Sequence, residues 1–293
     1  MMKKLLIVAA IAGIVWLVSK NAGGNSPGAE ALDATPGAAA PAVATPDANA
    51  AALAQRVATV EATASSAASQ VATATDSDPA TAARDDVAAL LLGELPVETR
   101  KRLMAKLDAL NETLVFSPKA TRYSTTRVIK AGDTLLDIGT ECGQGLGLLM
   151  KMNRIQHAAD LRSGQTIKIL NGRTRILVDK SQFTLSLFAG DQLIKQYLIG
   201  TGINNSSPVG EFVIATKMRN PDYRGMSPDD PRNPLGTRWM GFAGEFRQYG
   251  IHGTREPEKI PGECSKGCVR MVNAQVEELM EFVTYKAHVV IQP

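Results

Sequence analysis

The residues best suited to chemistry lie in the last fifth of the chain, in two short segments rich in glycine. One segment reads GIHGT over residues 250–254, and the other reads SKGCVRM over residues 265–271. A thiol nucleophile needs a base, or an imidazolium that stabilises the thiolate. His252 is the only histidine close in sequence to a late cysteine. The spacing therefore predicts Cys268 as a nucleophile with His252 as its partner.

Glycines beside both residues would let backbone and substrate approach closely. Gly253 follows the histidine, and Gly267 immediately precedes the cysteine. We predict that the N–H groups of Gly267 and Cys268 stabilise a developing oxyanion. The chemistry by itself leaves a structural alternative open, because buried cysteines and structural histidines are both common.

The two segments resemble the signature of the L,D-transpeptidase (YkuD-type) catalytic domain, which has His-Gly-Thr followed by Ser-x-Gly-Cys-x-Arg. The likeness covers residues 173–293 and includes GTG at 200–202 and SPVGEF at 207–212. The resemblance implies a mainly β fold, a sandwich or barrel with one late helix. It also implies that Cys268 attacks the peptide bond after the third residue of a peptidoglycan stem. The terminal D-alanine leaves, and the acyl thioester passes to an amine.

The same resemblance assigns further residues to the site. His252 matches the base and acid, while Ser265, Gly267 and Gly253 match positions that line the site. Arg270 either orients the catalytic loop or meets a substrate carboxylate. The sequence does not identify the group that orients the imidazole ring.

Two residues depart from a simple reading of the motif. Lys266 stands where many family members have histidine, which affects only the role of that second histidine. Cys264 is interpreted as a packing residue, with a redox partnership with Cys268 as the alternative.

Several functions remain open at this point. The thioester could pass to water, which would make the chain an L,D-carboxypeptidase, or the catalytic fold could be silent and serve as a wall-binding scaffold. The same nucleophile predicts acylation by a carbapenem. A net charge of +3 with no basic block gives no indication of nucleic-acid binding. Three dispersed histidines and no Cys-x-x-Cys motif predict no metal, and we expect no cofactor.

A smaller unit is predicted over residues 127–170, in the order strand, helix, helix, strand. Its strands are placed at residues 128–130 and 166–169, with a glycine-rich break between the helices at Gly143–Gly147. The unit resembles a LysM module, through positions such as Val128, the GDTL of 132–135, Asn153 and the GQTI of 164–167. The resemblance implies binding to peptidoglycan glycan strands. A stable domain without glycan affinity is the alternative.

The N-terminal third is predicted to be a tether. Residues 1–20 carry Lys3 and Lys4 before an apolar run, as in a signal peptide or an inner-membrane anchor, and Lys20 slightly favours the anchor. Residues 21–78 are rich in alanine, proline and threonine and predict a disordered linker with a weak coiled-coil spacing. Residues 79–118 predict a helical spacer. We therefore expect a location in the cell envelope.

The catalytic segment is predicted to contain short strands, a late helix and a long loop. The loop at residues 220–234 is rich in proline and long enough to act as a lid or a substrate wall. The helix is predicted over residues 274–283 with Asn273 as its cap.

Overall fold

The computed structural model describes residues 46–70 and 79–293. The predicted signal or anchor at residues 1–20 and the linker residues 21–45 and 71–78 lie outside this described part. Within it, no helix combines the length and the apolar character needed to cross a bilayer.

The described residues form six α-helices and twelve β-strands. The helices are α1 Pro46–Gln70, α2 Pro79–Leu91, α3 Val97–Leu114, α4 Leu135–Cys142, α5 Leu146–Asn153 and α6 Asn273–Phe282. The strands are β1 Ser124–Val128, β2 Thr166–Leu170, β3 Thr174–Asp179, β4 Thr184–Ala189, β5 Gln192–Leu198, β6 Gly200–Gly202, β7 Gly210–Arg219, β8 Arg238–Phe242, β9 Gly250–His252, β10 Gly262–Ser265, β11 Val269–Arg270 and β12 His288–Gln292.

Helix α1 corrects the prediction of a disordered linker for residues 46–70. Alanine has the highest helix propensity, and the weak heptad spacing places Val57, Ala64 and Ala67 on one buried stripe. Glu61 accepts a hydrogen bond from Arg102 on α3 at 2.8 Å, so the helix pairs within its own chain. The apolar spacing therefore serves intramolecular packing.

The helical hairpin α2–α3 is formed as predicted, but it docks on the catalytic domain. Strand β5 is one edge of the large sheet, and an uncovered edge leaves unpaired backbone groups. Asn111 donates to the carbonyl of Ile194 at 2.8 Å, and Arg84 donates to the carbonyl of Leu193. The hairpin thus covers this edge and is more than a spacer.

The LysM-like unit has the predicted βααβ order, although its first strand lies at Ser124–Val128 and starts before residue 127. The β-branched Thr125 and Thr126 favour the extended backbone, and β1 pairs antiparallel with β2 from Ser124↔Leu170 to Val128↔Thr166. The predicted strand at residues 128–130 was therefore placed too late.

This unit shares its core with the catalytic domain. Gly145 N–H donates to the carbonyl of Phe282 at 2.9 Å, and a side chain at this glycine would lie 2.1 Å from the carbonyl oxygen of Glu281. On the other side, buried Lys168 donates to the carbonyls of Leu114 and Ser117, and burial lowers its pKa to about 8. The glycine-rich break is needed for this close approach to α6.

The catalytic domain is mainly β with one late helix, as predicted. Its ten strands follow the order β10-β6-β11-β9-β8-β7-β12-β3-β4-β5. Helix α6 packs through Val276, Leu279 and Met280, which are at most 3 % exposed. Residues Gln55–Pro293 form one compact unit. The order places β9, which carries the candidate histidine, next to β11, which follows the candidate cysteine.

Candidate active site

Strands β9 and β11 bring the two predicted catalytic residues together. They pair in parallel with Val269 opposite Ile251 and Arg270 opposite His252. His252 is the last residue of β9, and Cys268 immediately precedes β11. Both strands are anchored in the core, because Ile251 on β9 and Val269 on β11 are fully buried.

The imidazole of His252 is buried and held by backbone. Its Nδ1 lies 2.6 Å from the carbonyl oxygen of Gly253. Because a carbonyl oxygen only accepts hydrogen bonds, this contact favours the neutral tautomer with the proton on Nδ1 and the lone pair on Nε2. The groups that orient the ring, which the sequence did not identify, are therefore backbone groups: the Gly253 carbonyl, with a second backbone hydrogen bond at Leu235.

Burial controls the charge of His252. The pKa of His252 is lowered to about 4, mainly by desolvation and in smaller part by the positive charge of Arg270, while hydrogen bonds to the backbone of Gly253 and Leu235 oppose the shift. The ring of Trp239 on β8 lies against it, with ring centroids 5.8 Å apart. The imidazole is consequently neutral at physiological pH.

The thiol of Cys268 is partly buried, and its Sγ lies 3.8 Å from the carbonyl oxygen of Gln248. Burial raises the pKa of Cys268 above its ordinary value, and a backbone hydrogen bond from Gly250 and the charge of Arg270 offset part of this shift. The side chain of Cys268, the candidate nucleophile, is therefore a protonated thiol at neutral pH.

Ser265 organises the turn that carries the nucleophile. Its hydroxyl donates to the carbonyl of Cys268 at 2.6 Å and accepts from the N–H of Gly267 at 3.0 Å. The N–H of Gly267, one of the two predicted oxyanion donors, is thus engaged by a buried serine in this structure. The N–H of Cys268 is the other predicted donor in this turn.

Gly267 is required by both conformation and space. Its φ is +123°, a region that residues with a Cβ rarely adopt. A Cβ there would lie 2.6 Å from Cε1 of Tyr249. The ring of Tyr249 therefore leaves no room for a side chain at residue 267, directly before Cys268.

Arg270 forms an ion pair within the protein. Its Nη1 donates to Glu256 at 3.1 Å, while its buried Nε has no hydrogen-bond partner among the described residues. Glu256 was not singled out from the sequence, because an isolated glutamate in a loop carries no pattern. The contact supports the loop-orienting interpretation of Arg270.

The structure favours the packing interpretation of Cys264. Its Sγ fills the space above Gly200, where a Cβ would lie 2.3 Å away, and its thiol lies beside Arg270. Strand β6 separates β10, which carries Cys264, from β11. Both Cys264 and Cys268 are free thiols.

The loop at residues 220–234 is pinned by its own polar groups. Buried Asn233 donates to the carbonyls of Pro221 and Ser227 at 2.9 and 3.1 Å. Arg255 donates to the carbonyl of Asn233 at 3.2 Å and also reaches the carbonyl of Pro228. A polar cavity of about 390 Å³ lies under this loop. These contacts fit a fixed wall better than a mobile lid.

Asn273 has a different role from the predicted helix cap. It is the first residue of α6, and its side chain makes no capping bond. Its Oδ1 accepts instead from the N–H groups of Thr237 at 3.3 Å and Thr254 at 3.1 Å. Sequence reasoning missed this contact because it joins segments far apart in the chain.

No metal centre is visible in the part of the chain that the structure describes. Its histidines, cysteines and carboxylates form no group of three that could hold an ion. His157 and His288 are exposed and lie in the LysM-like unit and on β12.

Comparison with known proteins identifies both domains. Residues 173–291 match the L,D-transpeptidase catalytic domain (YkuD), and residues 128–170 match the LysM domain. YkuD of Bacillus licheniformis, assigned to the L,D-transpeptidases, is 33 % identical over 172 residues, which cover 56 % of this chain and 97 % of that protein. YqjB of Bacillus subtilis, with the same assignment, is 36 % identical over 131 residues, 42 % of this chain and 73 % of that protein.

Solved structures show weaker likeness. L,D-transpeptidase 3 from Mycobacterium tuberculosis with a faropenem-derived adduct is 16 % identical, with a TM-score of 0.35 over 44 % of this chain and 65 % of that one. The Enterococcus faecium L,D-transpeptidase C442S mutant is 20 % identical, with a TM-score of 0.36 over 45 % and 54 %. The chain thus spans about half to two thirds of these structures. On the sequence matches, the chain belongs to the YkuD-type L,D-transpeptidase family and carries a LysM domain before its catalytic domain.

Proposed function

We propose that this chain is a peptidoglycan L,D-transpeptidase in which Cys268 forms the acyl-enzyme. The observation that carries the proposal is the parallel pairing of β9 with β11, which places Cys268 and His252 on neighbouring strands, with Nδ1 of the histidine held by the Gly253 carbonyl. Family membership supplies the reaction class, and this arrangement supports Cys268 as the nucleophile and His252 as the base.

In the first half-reaction, Sγ of Cys268 attacks the carbonyl carbon of the peptide bond before the terminal D-alanine. As the S–C bond forms, the thiol proton moves to Nε2 of His252, and negative charge develops on the former carbonyl oxygen. The N–H of Cys268 is the candidate donor to that oxygen. When the C–N bond breaks, the imidazolium returns the proton to the departing amine, which leaves a thioester on Cys268.

In the second half-reaction, an acceptor amine attacks the thioester carbonyl. His252, again neutral, takes a proton from the attacking nitrogen and passes it to the departing thiolate. A stem-peptide amine would give a 3-3 cross-link, and an attacking water would give the carboxypeptidase product.

We also propose that the LysM domain holds glycan strands close to this site. It shares a core with the catalytic domain, so a bound strand would lie in a fixed position relative to Cys268. The residues Lys3 and Lys4 before an apolar run support attachment of the N-terminal segment to the inner membrane, with the folded part in the envelope.

A carbapenem is a further ligand of the proposed site. Its strained lactam presents an electrophilic carbonyl that resembles the scissile amide, so Cys268 would open the ring and retain the product as a thioester.

The proposal is tested with the full chain and a tetrapeptide muropeptide, with products identified by mass spectrometry. We expect cross-linked dimers and released D-alanine with the wild type and with Cys264→Ser, and neither product with Cys268→Ala. Tripeptide without dimers would replace the transferase by the carboxypeptidase. No product from any variant, with retained binding to sacculi, would indicate the scaffold.

A further inference from the structure

The side chain of Asn273 lies where three segments around the candidate base converge. Its Oδ1 accepts from Thr237 and Thr254, as described above. A Cβ at Gly236 would lie 2.3 Å from this oxygen, and a Cβ at Gly253 would lie 2.2 Å from it. Both positions therefore need glycine for the amide to reach its two donors.

One peptide group connects this amide to the imidazole. The peptide between Gly253 and Thr254 gives its N–H to Asn273, while its carbonyl accepts from Nδ1 of His252 at 2.6 Å. A peptide group is planar, and in the trans form its N–H and C=O point in opposite directions. A group that fixes the N–H therefore also fixes the direction of the carbonyl.

We propose that Asn273 is a positioning residue for His252 and acts through the Gly253–Thr254 peptide. The amide holds the peptide plane so that the Gly253 carbonyl meets Nδ1, which keeps the proton on Nδ1 and the lone pair on Nε2. The two bonds also polarise the same peptide in the same sense, which strengthens the carbonyl as an acceptor.

The support for Asn273 is rigid. It begins α6, whose Val276 and Leu279 are fully buried in the shared core. The imidazole itself meets Trp239 from β8 and the positive charge of Arg270 from β11. The hydrogen-bond partners of the ring are backbone groups, the Gly253 carbonyl at Nδ1 and the backbone of Leu235, and the Gly253 carbonyl is the one whose peptide is held by the Asn273 amide.

The role of Asn273 in turnover rests on the proposed function, but its effect on His252 can be measured without turnover. The chain has three histidines, so the imidazole signals of the full chain can be assigned in NMR spectra with isotope-labelled histidine. The titration of the ring gives the pKa of His252, and the nitrogen shifts give its tautomer. Turnover of a muropeptide is followed in parallel.

Asn273→Ala removes the acceptor, whereas Asn273→Asp keeps an acceptor oxygen and adds a negative charge near the ring. We expect Asn273→Ala to lose the pure Nδ1–H tautomer and to lower kcat by about tenfold or more with little change in KM. We expect Asn273→Asp to keep the tautomer and to raise the pKa of His252 by about one unit.

Asn111→Ala is the matched control. It removes a side-chain hydrogen bond between a buried asparagine and the backbone, far from His252. It should lower thermal stability and leave the pKa and tautomer of His252 unchanged. The proposal is overturned if Asn273→Ala changes only thermal stability, as the control does. Should Asn273→Ala fail to fold, an unchanged His252 pKa in Asn273→Asp would overturn it equally. Absence of turnover with intact NMR effects would count against the proposed function alone.

Discussion

The protonation state of the resting Cys268–His252 pair can be worked out from the burial of the two groups. The pKa of His252 is lowered from its ordinary value of 6.5 to about 4, mainly by desolvation, and burial raises the pKa of Cys268 above its ordinary value. The shift at His252 alone makes the imidazolium about 3 kcal/mol harder to form than in a solvent-exposed ring. The shift at Cys268 acts in the same direction, because it disfavours the thiolate.

Both shifts favour the neutral thiol and the neutral imidazole over a thiolate–imidazolium pair in the resting protein. We therefore expect the thiol of Cys268 to lose its proton during the attack on the substrate, and not before it.

The assay is the rate of Cys268 alkylation by iodoacetamide between about pH 5 and pH 10, followed by mass mapping of the peptide that contains it. We expect the rate to rise about tenfold per pH unit through neutral pH into the alkaline range, since only the thiolate reacts and the pKa of Cys268 is raised. A plateau of reactivity between about pH 5 and pH 8 that disappears in His252→Ala would show a stable thiolate–imidazolium pair and would overturn this prediction.

Three further predictions concern the turn, the helical hairpin and inhibition. Gly267→Ala should lower turnover by about a hundredfold through displacement of the nucleophile, whereas Gly132→Ala, also at positive φ but with open space around it, should leave turnover on soluble peptides unchanged. Arg100→Met should lower the free energy of unfolding by about 3–5 kcal/mol in denaturant titrations, because buried Arg100 bonds four acceptors, whereas exposed Lys101→Met should change it by less than about 1 kcal/mol. A carbapenem should add its mass to the wild type, and an adduct that persists in Cys268→Ala would contradict the assignment of the nucleophile.

The features predicted most clearly from the sequence are those encoded by residues that are close together in the chain. Cys268 and His252 lie in short motifs with fixed spacing, and the family assignment follows from the same segments. Helices α2 and α3 were predicted because proline and glycine mark their ends. Local chemistry was therefore sufficient for these elements.

The features that the sequence did not predict depend on hydrogen bonds whose partners form no recognisable pattern in the sequence. The hydrogen bond from the Gly267 N–H to the hydroxyl of Ser265 was not predicted, because residue spacing does not encode the rotamer of a hydroxyl group. The orientation of His252 depends on a backbone carbonyl, which every residue possesses. Docking of α2–α3 rests on single polar contacts such as Asn111 with Ile194, which have no periodic pattern.

The hydrophobic core shared by the LysM and catalytic domains limits how glycan binding by the LysM domain can be tested. Phe116 and Phe282 pack with ring centroids 5.8 Å apart, and Lys168 of the LysM domain satisfies carbonyls at the end of α3. Deletion of the LysM domain would expose this apolar surface and leave polar groups unpaired. Substitutions at exposed positions such as Val128 and Leu136 are therefore the better probes of sacculus binding.

Intact-mass analysis of the full chain after brief exposure to a tetrapeptide stem tests directly whether Cys268 carries the acyl group. We expect an added mass equal to the tripeptide acyl group, located at Cys268 by peptide mapping. The adduct should be present in Cys264→Ser and absent in Cys268→Ala. An acyl group on Cys264, or turnover by Cys268→Ala without any adduct, would show that Cys268 is not the acyl carrier.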